Sequence, residues 1–563
     1  MWKFHDLPYA RPDVEAYKAE YLRRLEELAA APTYAEQRAA LLALDEFDTK
    51  FSTPARLASI RYDINTADEF YGEEKKFWNG VFPSMIPLDR KYMETLVSLR
   101  FRDEFVAEFG DKMFRSAEAR LKLADDRLAA AQVEQSNLVM EYSRLVAGCS
   151  VEFGGKSCNF YGLLKQMQNP DRAVRKAAFE AWAGMYESIS DKLDEIYDKL
   201  VALRVGMAET IGFGSFTEMA YLQRGRFDYD AEDAARFRAA VVKYIVPAAA
   251  KSFAAQKERL GLDKLHYYDE PLFFADGNPA PSGSREEMVR LAGEMYRELS
   301  PETGEFFDFM TAHDLFDLET RPGKRMGGYC SSISEYKAPF IFSNFNGTSA
   351  DVDVLTHEAG HAFQGYLSMR IMPLSALAHA NMEINEVHSM SMEHFAYPWM
   401  EKFFGDGADD YRLCHLSDAL RTIPYLVAVD EFQHRVFARP GMSREERYAI
   451  WHEIEQIYLP WRDYDGNEFL GKGGFWMQKQ HIFMYPFYYI EYALAQLGAF
   501  EFFIKAEEDR AAAWADYLAL CRAGGSVGYK ALLKIGGLHD PFEEETVRTV
   551  TEKVSAKIDA MMA

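Results

Sequence analysis

The sequence predicts a mainly α-helical protein of two lobes with one small β-sheet, and three observations support this prediction. Along most of the chain, apolar residues recur at three- and four-residue spacing, which is typical of amphipathic helices. The length of 563 residues is long for a single core and favours two or more lobes. One stretch, residues 327–345, instead has β-type residues between turn residues. We expect an N-terminal helical lobe over residues 1–150 and a second region over residues 151–563.

Composition and charge exclude several classes of protein. The formal net charge is −24, from 64 basic and 88 acidic side chains, and hydrophobic residues make up 48% of the chain. That hydrophobic share is enough for a large folded interior. Affinity for nucleic acid depends on neutralising phosphates, and the sequence has no lysine- or arginine-rich run. We therefore expect no nucleic-acid partner.

Cysteine usage and the apolar stretches indicate a cytoplasmic protein without a membrane anchor. The five cysteines are odd in number and scattered, without a Cys-x-x-Cys pair, as is typical of reduced thiols. The first residues have no apolar core of signal-peptide length. The longest apolar stretch, residues 483–503, contains Pro486, Glu491 and Glu501, which favours a buried helix over a membrane span. No obligate protein partner is evident.

The N-terminal part of the chain is predicted to be helical and to carry no chemistry. From Asp13 to about Val146 the sequence is rich in helix formers at helical spacing, and it contains no cluster of histidine, cysteine and acidic residues. A strand-like turn at residues 151–156 interrupts the helices. Helices resume over residues 169–212 and 230–260.

Two extended runs, residues 327–333 and 339–345, are predicted to be strands of one small sheet. An extended peptide could add to the edge of such a sheet as another strand. This makes Gly327, Gly328 and Phe342 candidate substrate contacts. A sheet that only packs against the helices is the alternative.

The strongest chemical signal is the stretch His357-Glu358-Ala359-Gly360-His361. Residues i and i+4 lie on one face of a helix, so two imidazoles can reach one zinc ion at about 2.0–2.1 Å. Glu358 would then lie beside the ion, where it can act as a base for water. The helix is predicted to begin near residues 351–353, where acidic residues complement a helix N-terminus. A helix whose histidines pair with core acids is the alternative interpretation.

A zinc site needs a third protein ligand, and the sequence restricts where it lies. In one large class of zinc peptidases the motif continues as His-x-x-Gly-x-x-His. Gln364 and Leu367 stand where the glycine and the last histidine would be, which excludes that class. The other common solution is a glutamate on a following helix.

The predicted helix over residues 380–394 supplies candidates for this third ligand. Its acidic residues share roughly one stripe, among methionines that are expected to pack inward; they are Glu383, Glu386 and Glu393. We favour Glu386 as the ligand, with His388 and His394 as alternatives. A solvated acidic face is the structural alternative.

These residues and several longer stretches resemble the thimet oligopeptidase / oligoendopeptidase F family of zinc metallopeptidases, particularly its shorter bacterial, Pz-peptidase-like branch. Glu386 lies 25 residues beyond His361, as the ligand glutamate does in that family. The other stretches that resemble this branch are NPDRAVRKAAFEAW (169–182), RGRFDYDAED (224–233), DEFQHRVF (430–437) and HIFMYPFYYIEYALAQLGA (481–499).

The resemblance implies a two-lobed helical zincin fold that encloses a deep substrate channel, with the small sheet beside the zinc helix. It implies one zinc ion per chain, held by His357, His361 and Glu386, with Glu358 as the general base. Short unstructured peptides are the implied substrates, because such a channel excludes folded proteins.

The segment from His481 to Tyr492 takes its predicted role from the resemblance. Pro486 is predicted to separate a loop from a helix that starts there, and core packing is the ordinary interpretation of its four tyrosines. In the resembled family, a histidine and tyrosines of this region face the zinc and stabilise the oxyanion. The corresponding residues here are His481, Tyr489 and Tyr492, with Tyr485 as a weaker candidate for substrate contact.

We therefore predict a zinc-dependent oligoendopeptidase that hydrolyses internal peptide bonds without a covalent intermediate. A zinc carboxypeptidase or aminopeptidase of helical fold is the first alternative, and it would release single terminal residues. A non-catalytic peptide-binding protein is the second alternative, and the intact Glu358 and ligand set argue against it.

Overall fold

The structure, a computed structural model, describes residues 2–562 and is mainly helical. The helices of the first half are α1 (Val14–Ala30), α2 (Tyr34–Ile64), α3 (Glu69–Val97), α4 (Arg102–Phe109), α5 (Lys112–Leu123), α6 (Ala129–Ala147), α7 (Phe160–Gln166), α8 (Arg172–Thr210), α9 (Phe216–Gln223), α10 (Ala231–Ala240), α11 (Val246–Arg259), α12 (Arg285–Leu299) and α13 (Pro301–Ala312). Those of the second half are α14 (Ala350–Ile371), α15 (Met382–Phe395), α16 (Glu401–Phe404), α17 (Ala408–Ala438), α18 (Arg444–Tyr458), α19 (Glu468–Gly471), α20 (Gln480–Met484), α21 (Ile490–Glu508), α22 (Arg510–Ala523), α23 (Tyr529–Ile535) and α24 (Glu544–Met562).

Five short strands are present among the described residues. They are β1 (Val151–Phe153), β2 (Lys156–Cys158), β3 (Phe316–Glu319), β4 (Tyr329–Ile333) and β5 (Ala338–Phe345). The first two form an antiparallel hairpin at the predicted strand-like turn. The predicted mainly α fold with a small β-sheet is confirmed.

The chain forms two compact units, and each is assembled from three separate stretches of sequence. The first unit consists of the residues up to Ala124 together with Ala280–Ala408 and Gly498–His539. The second consists of Asp125–Pro279, Asp409–Leu497 and the residues from Asp540 onward. The division of the chain near residue 150 and the channel between two lobes stay predictions.

Helix α14 lies at the centre of the first unit, where it packs against α15, α22, β4 and β5. Its apolar side chains are fully buried, including Leu355, Ala359 and Phe363. Its N-terminus is fixed by Asp351, whose carboxylate accepts hydrogen bonds from the backbone N–H groups of Asn346 at 2.9 Å and Gly347 at 2.7 Å. A helix held on several sides in this way can keep its side chains in fixed positions.

The small sheet of the first unit has the strand order β3-β5-β4. Strands β4 and β5 are antiparallel, with Tyr329 opposite Phe342, and they match the two predicted extended runs. Strand β3 pairs parallel to β5 and was not predicted, because four residues are too few to show a period-two pattern. It covers one edge of β5 and leaves β4 at the edge of the sheet.

The second unit contains the 39-residue helix α8, against which α6, α7 and α9 pack. The predicted helix start at Pro486 is wrong, because α20 precedes this proline and α21 begins at Ile490. Phe487 has a φ of 61°, in the left-handed region, and a residue in that conformation cannot continue a right-handed helix. None of the helices within residues 2–562 is both long and apolar enough to cross a membrane.

Candidate metal centre

Helix α14 presents His357 and His361 on one face, one turn apart. Their ring centroids are 5.0 Å apart, and the ring planes are nearly perpendicular. Both rings are partly exposed, with 24% and 22% of their side-chain surface accessible. The two imidazoles can therefore bind a common ion that solvent or substrate also reaches.

Glu386, on the neighbouring helix α15, completes a group of three donor side chains. Its Oε2 lies 3.4 Å from His357 Nε2 and 3.6 Å from His361 Nε2. Ligand atoms about 2.0–2.2 Å from one tetrahedral ion lie roughly 3.3–3.6 Å from each other. Within residues 2–562, this is the one group of three or more histidine, cysteine or acidic side chains that could hold a metal ion.

The close approach of the two helices depends on Gly360. A Cβ atom at this position would lie 2.6 Å from Ser389 Cα and 2.8 Å from the His388 carbonyl oxygen. Any side chain at residue 360 would thus overlap the backbone of α15, the helix that carries Glu386. This glycine was not singled out in the sequence, although it stands inside the motif.

A second layer of polar side chains orients the candidate ligands. Glu393 Oε1 lies 2.5 Å from His357 Nδ1, so the other ring nitrogen, Nε2, points toward Glu386. The Ser389 hydroxyl donates to Glu386 Oε2 at 3.2 Å. A carboxylate behind a histidine fixes its tautomer and ring orientation in many metal sites.

The charges of this cluster shift two pKa values in opposite directions. Burial by itself lowers the pKa of His357, but hydrogen bonds and charge from Glu386 and Glu393 outweigh burial and raise it well above its ordinary value. Burial also tends to raise the pKa of Glu386, and the two histidines outweigh it and hold this pKa below its ordinary value. The Glu386 carboxylate is therefore ionised at neutral pH, as a metal ligand must be.

Glu358 lies beside this group with a carboxylate oxygen that has no partner. Its Oε2 is buried without a hydrogen bond to any described residue. Burial raises the pKa of Glu358, although the two neighbouring histidines oppose the shift. A buried polar atom without a partner is rare in folded proteins, so this oxygen is available to a reactant.

The alternative third ligands lie outside the group of three donors. Glu383 accepts a hydrogen bond from the Asn381 side chain at 2.7 Å. Burial lowers the pKa of His388 to about 3, and its ring packs near Tyr517 with the centroids 6.1 Å apart. The ring of His394 packs among aromatic side chains, 5.2 Å from the Tyr397 ring.

The predicted peptide contacts beside β4 differ in their exposure to solvent. Gly327 and Gly328 precede the strand and are exposed, and a Cβ atom on Gly328 would lie 3.9 Å from Glu358 Oε1. Phe342 is fully buried and stacks on Tyr329, with ring centroids 4.9 Å apart. Direct substrate contact by these residues stays a prediction.

In the second unit, the segment from His481 to Tyr492 gathers polar aromatic side chains. The ring centroids of His481 and Tyr489 are 4.7 Å apart. Burial lowers the pKa of His481 to about 4, with help from the charges of Lys479 and Arg224. Its imidazole is therefore neutral at pH 7.

Tyr488, which sequence reasoning did not single out, belongs to this aromatic group. Its ring is nearly parallel to the His481 ring at 5.5 Å. Its hydroxyl lies 3.0 Å from the hydroxyl of Tyr492. Tyr485, the weaker candidate, is 51% exposed. The role of each of these residues stays a prediction.

Known proteins share this architecture along the whole chain. A solved structure of PZ peptidase A with an inhibitor superposes with a TM-score of 0.92 at 43% sequence identity, and the similarity covers 100% of both chains. Group B oligopeptidase PepB of Streptococcus agalactiae is 23% identical over 60% of this chain and 54% of its own length. Oligoendopeptidase F of Lactococcus lactis subsp. cremoris is 22% identical over 65% of this chain and 60% of its own length.

Two family models match the sequence. The model of the peptidase M3 N-terminal domain matches residues 4–124. The model of peptidase family M3 matches residues 165–276 and 305–553, which include the whole candidate metal centre and the segment from His481 to Tyr492. This chain belongs to peptidase family M3, a family of metallopeptidases.

Proposed function

We propose that this chain is a zinc-dependent oligoendopeptidase that acts on short unstructured peptides. The observation that carries the proposal is the convergence of His357, His361 and Glu386, whose ligand atoms lie within 4.8 Å of one another. Two imidazole nitrogens and one carboxylate oxygen form a donor set typical of catalytic zinc, which keeps one position open. Membership of peptidase family M3 supports the same reaction class.

Glu358 is the proposed general base and proton carrier. Bound zinc would supply Lewis acidity, which polarises the scissile carbonyl and makes water a better nucleophile at neutral pH. Glu358 would take the proton of the attacking water and pass it to the leaving amine. Because burial raises the pKa of its carboxyl, Glu358 binds a proton more readily than an exposed glutamate does.

His481, Tyr489 and Tyr492 are the proposed donors to the oxygen on which negative charge develops. A neutral imidazole, as the pKa of about 4 at His481 implies, carries one N–H donor. Burial raises the pKa of Tyr489 above its ordinary value, so its hydroxyl keeps its proton and can donate. Donors fixed before the reaction stabilise an oxyanion more than mobile water does.

The edge strand β4 is the proposed place for the peptide backbone. An extended peptide could pair with the free edge of β4 (Tyr329–Ile333), with Gly327 and Gly328 leaving room for its close approach. Phe342 would support this edge from behind, since its ring stacks on that of Tyr329. Main-chain pairing of this kind accepts many sequences, which suits an oligopeptidase.

The test is cleavage of an internally quenched oligopeptide blocked at both ends, with the products identified by mass. We expect internal cleavage that a zinc chelator abolishes and added zinc restores. The variant Glu358→Gln should retain zinc and lose at least about 100-fold in kcat, because it removes the general base.

Two outcomes would contradict parts of the proposal. Loss of single residues from an unblocked peptide, with no cleavage of the blocked one, would make the protein an exopeptidase. Near-normal turnover by zinc-loaded Glu358→Gln would reject the role of the glutamate, whichever bond is cut.

A further inference from the structure

Three charged side chains, Arg224, Arg226 and Glu491, form a buried network in the second unit, which we call the arginine clamp. The side chains of Arg226 and Glu491 are 0% and 2% exposed. Arg224 donates to both carboxylate oxygens of Glu491, with its Nη2 at 2.5 Å from Oε2. Arg226 Nη2 donates to Glu491 Oε1 at 3.0 Å. The clamp thus ties the turn after α9 to the first turn of α21.

The clamp also binds the backbone at a residue with a left-handed conformation. Phe487 has a φ of 61°, in the left-handed region that is unfavourable for a bulky side chain. Arg226 donates a hydrogen bond to the Phe487 carbonyl oxygen. Gln433 Oε1 accepts a hydrogen bond from the Phe487 N–H at 2.9 Å. Strain of this kind persists only where the surrounding structure holds it, and buried side chains do so here on both sides of the residue.

The same clamp touches the aromatic group of this segment directly. The Arg224 guanidinium lies 4.6 Å from the centre of the Tyr488 ring. Tyr488 in turn shares a hydrogen bond with Tyr492, with 3.0 Å between the hydroxyl oxygens. Glu491 is adjacent to Tyr492 in the chain and two residues beyond Tyr489. The contacts of Arg224 with Tyr488 and of Tyr488 with Tyr492 therefore connect the Glu491 carboxylate to the aromatic group, and Tyr489 packs against Tyr492 with ring centroids 5.9 Å apart.

Stability alone does not explain such an arrangement. Removing charges from water is costly, and replacing a buried ion pair by apolar side chains is often neutral or stabilising. What a charged network does supply is a strict geometry, because each guanidinium N–H must meet an oxygen at a defined distance and angle.

We propose that Arg224, Arg226 and Glu491 are positioning residues that hold Tyr488, Tyr489 and Tyr492 in the geometry needed to stabilise the oxyanion. This inference rests on the proposed function, because the tyrosines matter only if they act in catalysis. It extends that function by three residues that act through the tyrosines and need not contact the substrate.

A matched control for the clamp exists in the same unit. The carboxylate of Asp269 is 0% exposed and binds two arginines, with 2.7 Å to Arg172 Nη2 and 2.8 Å to Arg175 Nη2. None of these three residues lies in the segment from His481 to Tyr492. The variants Glu491→Gln and Asp269→Asn therefore remove the same kind of buried charge in two different places.

The first measurement is hydrogen exchange by mass spectrometry, which needs no activity. We expect Glu491→Gln to raise the exchange rate of peptides covering residues 481–492 by about 10-fold or more. Asp269→Asn should leave those peptides unchanged while both variants lower the melting temperature. Unchanged exchange in Glu491→Gln would show that the clamp does not hold the segment.

The second measurement is steady-state cleavage of the quenched peptide. Glu491→Gln should lower kcat by about 10- to 100-fold with KM within about threefold, because the chemistry and not binding needs the aligned donors. Asp269→Asn should keep kcat within about twofold. In a Tyr489→Phe/Tyr492→Phe background, Glu491→Gln should cost less than about threefold, since its effect passes through the tyrosines.

The outcomes separate the two proposals. If the tyrosine variants lose activity and Glu491→Gln loses no more kcat than Asp269→Asn does, the positioning role of the clamp is rejected. The proposed roles of the tyrosines are then unaffected. If the tyrosine variants keep full kcat, the tyrosine roles fall, and the positioning role falls with them. Should Glu491→Gln not fold, Arg224→Gln replaces it in both measurements, because Arg224 is the most exposed clamp residue at 17%.

Discussion

At the scale of single residues, the metal centre depends on Gly360, which has no side chain. Gly360 lies between the two candidate histidine ligands, where α14 faces the backbone of α15. The nearest backbone atoms would be 2.6 Å and 2.8 Å from an added Cβ, closer than carbon atoms approach in proteins. The backbone of a helix cannot yield as a flexible side chain can, so the two helices would have to separate.

We predict that Gly360→Ala lowers zinc affinity by at least about 10-fold, because ligand atoms must stay within roughly 0.5 Å of their positions. The measurement is zinc dissociation in competition with a chromogenic chelator. Gly206→Ala is the matched control, since Gly206 lies inside α8 and a Cβ there meets nothing within 4 Å. This control should keep zinc affinity and gain about 0.5–1 kcal/mol of stability. Equal zinc affinity in both variants would contradict the prediction.

Only part of the candidate site could be predicted from the sequence. His357, Glu358 and His361 were predicted from the spacing of one helix, and Glu386 was favoured among several candidate third ligands on the next helix. The contact between Glu393 and His357 depends on how two helices cross, which no local pattern encodes. The aromatic group was found as a region, while Tyr488 was overlooked because its role depends on a partner hydroxyl.

At the scale of elements, the Asp351 carboxylate helps to hold the start of α14. Asp351 is 3% exposed and accepts from two successive backbone N–H groups of the preceding loop. His357 follows less than two turns later. The position of the first candidate ligand therefore depends on a loop that the Asp351 side chain helps to hold.

We expect Asp351→Ala to destabilise the protein by about 1–3 kcal/mol, because it leaves two backbone donors without a charged acceptor. It should also weaken zinc binding, since the first turn of α14 would fray. Asp230→Ala is the control, because Asp230 caps α10 through hydrogen bonds to Glu232 N and Asp233 N in the other unit. Thermal unfolding and chelator competition on both variants test the prediction. A lower melting temperature with unchanged zinc affinity in Asp351→Ala would refute the link to the metal centre.

Most elements could be predicted from the sequence, and the exceptions have physical causes. Amphipathic spacing identified the helices, and β-type residues between turn residues identified β4 and β5. Strand β3 forms only because β5 lies beside it, which is tertiary information. The start of α21 was misplaced because Phe487 adopts a left-handed conformation that its own residue type disfavours.

At the scale of the whole molecule, buried histidines make stability depend on pH. The His434 side chain is 14% exposed, and burial lowers its pKa to about 4, while Asp430 opposes the shift. The Tyr221 hydroxyl lies 3.1 Å from its Nε2. The pKa of His434 in the unfolded chain is near 6.5. Between these two values the unfolded state binds more protons, so acid favours unfolding.

We predict that His434→Gln reduces the loss of stability between pH 7 and pH 4.5. The stabilising effect of a neutral His434 is complete above pH 6.5 and is lost as pH falls toward 4, by up to about 2–3 kcal/mol. Melting temperatures at both pH values test this, with His5→Gln as a control on a side chain that is 66% exposed. If the melting temperatures of wild type and His434→Gln differ by the same amount at both pH values, the prediction is wrong.

The interleaving of the chain has a consequence for how the protein is made. Helix α14 packs against α22, and the first unit closes only with the stretch Gly498–His539. After the metal-binding motif has been synthesised, roughly another 150 residues must be added before α22 exists. Contacts between residues so distant in sequence form late. A nascent chain therefore carries His357, Glu358, His361 and Glu386 long before the first unit can close around them.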